Sequence, residues 1–195
     1  MTAPDATLLL QRLSGGDAGA GDELMAVVYA ELHAMASAQM RGQSSEHTLQ
    51  PTALVNEAWM KLVRLDDPQW NDRRHFFHVG AKAMRSVLVD HVRGKRRAKR
   101  DGGAKLELFD DAAIDGRRGP LDVVALDDAL TQLAAFDPHM AQLVELRFFG
   151  GRTMDEVAEC LEVSKSTAER TWRAAKAWLF MAMGGQDAKR GEGQS

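Results

Sequence analysis

Ser166, Arg170, Arg173 and Ala177 recur every three or four residues, and a helix turning about 100° per residue lines them along one side, with Lys165, Glu169 and Lys176 at the flank. Arginine pairs bidentately with guanine, lysine holds phosphate, and hydroxyl or carboxylate groups reach base edges. This face therefore has the chemistry to read a DNA duplex. Arg170 and Arg173 are the expected base readers, Lys165 and Lys176 the phosphate contacts, and Ser166 and Glu169 further base-edge contacts, unless Glu169 pairs with Arg173 one turn away. Ala168, Trp172, Ala175 and Leu179 occupy the other side and must face inward. A shorter stripe of Met154, Val157, Ala158 and Leu161 precedes them, and Ser164 is a strong N-cap between the two. The stretch Thr153–Leu179 reads as a helix-turn-helix whose second helix enters the major groove. A plain helical hairpin with a solvated charged face shares this pattern. Glu162 stands at the turn position where glycine is usual because φ is positive there.

A second concentration of positive charge lies in Arg93, Lys95, Arg96, Arg97, Lys99 and Arg100. The 195-residue chain carries a net charge of −3, and with those six set aside 19 basic residues face 28 acidic ones. The run is thus a local patch suited to a polyanion, although simple solvation is the plainer reading of an isolated run. Cys160 is the single cysteine, so no disulfide framework forms within the chain. The opening segment lacks both a basic n-region and a long apolar h-region, and no run approaches 18 apolar residues. A cytoplasmic protein without membrane insertion is expected. His75 and His78 are three apart but have no neighbouring carboxylates at ligand spacing. With no phosphate-binding glycine loop or nucleophile motif, neither catalysis nor a metal or other cofactor is expected.

The elements that must position these residues are helical, since apolar periodicity is helical almost throughout and β-branched residues are sparse. The expected fold is all-α, with two small helical domains joined by a flexible linker. Helices are predicted at Ala6–Leu13, from about Asp22 to Met40, from Pro51 to about Leu65, and from near Arg73 into the basic run. The last of these carries the stripe Phe77, Ala81, Met84 and Leu88. Residues 1–100 form the first domain. Residues 101–120, rich in Gly and Asp and with little periodicity, form the linker. Residues 121–183 form a four-helix unit built from Leu121–Phe136, Pro138–Phe149 and the helix-turn-helix. Residues 184–195 lack large apolar side chains and read as a disordered tail.

Two cationic helical units, the first ending in a basic run and the second in a helix-turn-helix, resemble a bacterial RNA polymerase sigma factor of the extracytoplasmic-function (ECF) type. Leu54-Val55-Asn56-Glu57 with Trp59, Met60 and Leu62 is similar to the family's helix that docks on the clamp helices of the largest polymerase subunit. Asp90-His91-Val92-Arg93 and the basic run resemble the end of its promoter-melting helix. Asp137-Pro138, Val144-Glu145-Leu146-Arg147, Met154-Asp155-Glu156-Val157-Ala158 and Ser164-Lys165-Ser166-Thr167 resemble the module that reads the upstream promoter element. The resemblance covers roughly residues 22–182. It implies core RNA polymerase, through its clamp helices and flap region, and promoter DNA as partners. It also implies that Lys82, Arg85, Arg93, Arg96 and Arg97 supply cations for the opened downstream element. Trp70 and Asn71 would stack on or hydrogen bond to an extruded base.

The family's polymerase-binding helix usually opens with acidic residues, whereas here Gln50-Pro51-Thr52-Ala53 carries none. A phosphate on Thr52, or on Thr48 as the second candidate, would add about −1.5 to −2 charge near a helix N-terminus. In this the chain resembles the family branch linked to Ser/Thr protein kinases; a separate anti-sigma protein is another expected class of partner. The rival reading is a helix-turn-helix regulator that binds an operator without polymerase. It leaves the second basic helix without a role.

Overall fold

The computed structural model describes residues 5–17, 19–40, 49–63, 72–98 and 122–192, and the regular structure in them is entirely helical. In chain order the elements are α1 (Ala6–Ser14), α2 (Gly19–Met40), α3 (Pro51–Val63), α4 (Arg73–Ala98), α5 (Val123–Phe136), α6 (Pro138–Val144) continuing into a π-helical turn (Glu145–Phe149), α7 (Met154–Cys160) and α8 (Lys165–Glu192). Local chemistry sets most boundaries. Asp5 caps α1 through the Thr7 amide at 2.9 Å, and Asp122 caps α5 through the Val124 amide at 3.0 Å. Asp137 ends α5 and caps α6, where Pro138 takes the first-turn position that needs no N–H. Thr153 and Glu156 form a reciprocal capping box on α7. The Ser164 hydroxyl accepts from the Thr167 amide at 3.1 Å to start α8, as its residue type predicts. That helix runs on to Glu192, beyond the end of the four-helix unit expected from the apolar stripe. Gln186 to Arg190 includes good helix formers, and Gly184 and Gly185 are tolerated.

Helices α1 to α4 bury Leu9, Leu10, Leu24, Leu32, Leu54, Leu62 and Phe76 with the α4 stripe Phe77, Ala81, Met84 and Leu88. Helices α5 to α8 bury Leu126, Leu130, Leu146, Phe149, Val157, Trp172 and Leu179. The two units share one apolar core, because α4 packs on α5 and on the π turn. The expected linker, residues 101–120, lies outside the described residues. Among the described residues no helix is long and apolar enough to cross a membrane, and no group of three His, Cys, Asp or Glu could hold a metal ion.

The predicted helix Pro138–Phe149 is interrupted in its ladder. The Gly150 amide donates to the Glu145 carbonyl at 2.8 Å, five residues back. A π turn of this kind inserts one residue and rotates the chain beyond it. It ends on two glycines with separate constraints. A Cβ on Gly150 would press into the Leu146 carbonyl, and Gly151 has φ +60° and lies against α2, where an added Cβ would meet Ala38 at 3.3 Å. Gly150→Ala is therefore expected to cost about 1–3 kcal/mol of stability, read as an earlier midpoint in urea unfolding.

Candidate nucleic-acid interface

Helices α7 and α8 build the helix-turn-helix around Val157, Ala158, Ala168, Trp172, Ala175 and Leu179, which are all buried. The turn keeps the left-handed geometry usually given to glycine. Glu162 adopts φ 55°, and the Val163 and Glu162 amides donate back to the Ala158 and Glu159 carbonyls at 3.0 and 3.2 Å, closing the helix end as a Schellman motif. Holding a side chain there costs about 1–2 kcal/mol. Arg74 on α4 reaches the Glu162 carboxylate at 2.9 Å and the Glu159 carbonyl at 3.4 Å.

This construction leaves Lys165, Ser166, Glu169, Arg170 and Arg173 exposed on one side of α8, with Lys176 half-buried beside them. Lys165 pairs with Asp155 at 2.9 Å, the Ser166 hydroxyl contacts Ser164 at 3.0 Å, and the Lys176 ammonium lies 5.9 Å from the Trp172 ring centroid. Arg173 donates to the Glu169 backbone carbonyl at 3.5 Å instead of to its carboxylate. Among the described residues neither Arg170 nor Arg173 has an acidic partner. Both guanidinium groups are thus available to an anion or a base edge.

The cations of α4 are in a different situation. Lys82, Arg85 and Arg93 line one cleft with Ser86, Val89, Asp90, Asp127 and Glu145, and Asp127 and Glu145 come from the C-terminal unit. Arg85 is mostly buried. It donates to Asp127 Oδ1 and Glu145 Oε1, both at 2.8 Å, to the Asp127 carbonyl at 2.7 Å and to the Thr131 hydroxyl at 3.1 Å. Arg93 reaches Asp127 at 3.2 Å and Asp128 at 3.7 Å, Lys82 lies 3.8 Å from Glu145, and Arg97 is exposed. The Arg96 side chain, Trp70, Asn71 and Thr48 lie outside the described residues.

Glu145 is the centre of that seam. It is buried in the π turn, and its second oxygen accepts from His78 Nε2 at 3.0 Å, while the Gln142 amide approaches His78 Nδ1 at 3.4 Å. Burial raises the affinity of the carboxylate for a proton. The His78 hydrogen bond and the charges of Lys82, His78 and Arg85 outweigh it and hold Glu145 below its ordinary value of 4.5. A lowered folded-state value stabilises the fold above the unfolded value and loses that contribution as pH falls through the lowered one. Acid titration of the thermal midpoint is accordingly expected to steepen below about pH 4.5, and Glu145→Gln should flatten that part of the curve. Arg152 adds a further tie, 4.3 Å above the Phe77 ring and 3.3 Å from Glu31, which also pairs with Arg73.

The α3 motif divides between two tasks. Leu54 and Val55 are fully buried and anchor the helix, and Trp59 is half-buried with its ring edge-on to Phe76 at 6.4 Å. Asn56, Glu57 and Met60 are exposed and form the face open to a partner. Thr52 is exposed in the first turn. Sequence reasoning gave the seam residues Asp127 and Arg74 no role, met Glu145 only inside a family motif, and met His78 only as a histidine without carboxylates at ligand spacing. A signal existed for one of them: Glu145 sits between Val144 and Leu146 on a buried stretch, where a carboxylate needs a cation or donors.

No curated protein and no solved structure matches the chain in comparison searches. A family model described as "ECF sigma factor" matches residues 3–185. That span takes in the α3 face, the cationic α4 and the helix-turn-helix alike, and the chain belongs to the ECF sigma factor family.

Proposed function

We propose that this chain docks on the clamp helices of core RNA polymerase through the exposed Asn56, Glu57 and Met60 side of α3, and contacts the flap region through its C-terminal unit. In this reading α8 reads the upstream promoter element, and the α4 cations with Trp70 and Asn71 hold the opened downstream element. The observation that carries it is the exposed α8 face, where Arg170 and Arg173 have no acidic partner among the described residues, in a chain whose family directs transcription initiation with core polymerase and promoter DNA. Reconstituted run-off transcription tests it. Addition of the protein to core polymerase should give initiation at defined sites on genomic templates from its own source, and the absence of any protein-dependent start would overturn it.

Thr52 is the favoured site of control. Its exposed position in the first turn of α3 supports a phosphate there, since the helix dipole favours negative charge at that end. Phosphorylation by a Ser/Thr protein kinase would supply the charge that the Gln50–Ala53 segment lacks and strengthen docking to a basic polymerase surface. Polymerase affinity should rise on kinase treatment of the wild type and stay low for Thr52→Ala. Equal, strong affinity of wild type and Thr52→Ala without treatment would remove this regulation.

A further inference from the structure

From the surroundings of its one acidic side chain on the exposed side of α8 we infer that Glu169 is a specificity-determining residue, accepting from the N4 amino group of a cytosine in the upstream element. The inference rests on the reading of α8 as the helix that enters the duplex, and adds the base that its carboxylate selects. Glu169 lies about one turn into α8, on the side it shares with Ser166, Arg170 and Arg173. A carboxylate on a helix surface ordinarily settles with a cation three or four residues away. Both cations at that spacing are turned elsewhere. Lys165, four residues before, pairs with Asp155 of α7 at 2.9 Å, and Arg173, four residues after, turns its Nε to the Glu169 backbone carbonyl at 3.5 Å. The Glu169 charge reaches Lys165 only at longer range. Among the described residues its carboxylate therefore has no hydrogen-bond or ion-pair partner.

The major groove decides what such a group can meet. Every phosphate repels it, so docking α8 leaves the carboxylate uncompensated unless a base offers a donor. Two donors exist there, cytosine N4 and adenine N6. Adenine sets its N7 acceptor beside that donor, guanine presents the acceptors N7 and O6, and thymine presents O4 and a methyl group. Cytosine is the base whose edge has a donor and no acceptor. An acceptor-only side chain on this side of α8 thus selects cytosine by attraction and rejects guanine and thymine by repulsion. A carboxylate that merely weakened binding to all DNA would leave no trace in sequence preference.

The test is a binding selection with the full-length protein assembled on core RNA polymerase, run on a pool of duplexes with randomised centres. Wild type is compared with Glu169→Gln, Glu169→Ala and a charge-matched control, Asp22→Asn, which alters an exposed residue near the start of α2. Wild type should enrich an upstream motif in which one position prefers cytosine to guanine by about tenfold. Glu169→Gln should move that position to adenine, since a carboxamide pairs bidentately with N6 and N7, and Glu169→Ala should level it. An identical motif in wild type and both Glu169 variants would overturn the inference. So would a gain in affinity for all sequences alike with no change of preference at any position, or the same change of preference in Asp22→Asn. Circular dichroism checks folding, and if Glu169→Ala unfolds, Glu169→Gln, which keeps the side-chain length, is held to the same outcomes. A motif that ignores Arg170→Ala, Arg173→Ala and Glu169→Gln alike would defeat the reading of α8 and this inference with it. A motif relaxed by the arginine variants and blind to Glu169→Gln would defeat this inference alone.

Discussion

Arg85→Met is expected to lower the free energy of unfolding by about 3–5 kcal/mol, the cost of leaving buried charge without its partner. The residue is mostly buried and gives four hydrogen bonds to Asp127, Glu145 and Thr131. Without it the Glu145 carboxylate retains His78 and the more distant Lys82 inside an apolar surround. Urea unfolding followed by circular dichroism measures the effect. An arginine whose task was confined to nucleic acid would be replaceable without loss of stability, so an unchanged midpoint would contradict the seam. Arg85→Lys should recover only part of the loss, since an ammonium cannot reproduce the fork that spans two carboxylates.

Arg170→Ala and Arg173→Ala are expected to weaken binding to the upstream element by about 1–3 kcal/mol each, or about 5- to 150-fold. The two side chains lie on the exposed side of α8 and pair with no carboxylate among the described residues, so their removal leaves the fold unchanged. Base readers and phosphate contacts are separable by salt and sequence. An arginine that reads a base should relax specificity at one position when removed. Lys165→Ala should instead weaken all sequences alike and reduce the salt slope by about 1. Wild-type affinity in both arginine variants would remove α8 as the reading helix.

Periodicity made much of the fold legible. Phe77, Ala81, Met84 and Leu88 on α4, and Ala168, Trp172, Ala175 and Leu179 on α8, are apolar at helical spacing and all buried. The Ser164 cap was equally readable, since it acts within three residues of its own position. The exposed charged face of α8 comes from the same geometry. The α3 motif was legible only in part: the period that turns Leu54 and Val55 inward also leaves Asn56, Glu57 and Met60 for a partner. What stayed hidden is one local break in a helical ladder and one set of non-local contacts. The π turn depends on one amide bonding five residues back at Gly150, and no periodic pattern encodes a single inserted residue. The seam joins Arg85 to residues 42 and 60 positions away, across a segment whose composition reads as a domain boundary. Charge on a helix face looks alike in sequence whether it meets phosphate, solvent or a carboxylate of the same chain.

Family membership makes core RNA polymerase and promoter DNA the partners, and direct association with the polymerase is the sharpest measure of the proposed function. Purified full-length protein, untreated and kinase-treated, is titrated against fluorescently labelled core RNA polymerase. The account predicts a saturable one-to-one complex in at least one of the two forms, weakened by Met60→Asp on the exposed side of α3. Failure of both forms to associate would contradict it.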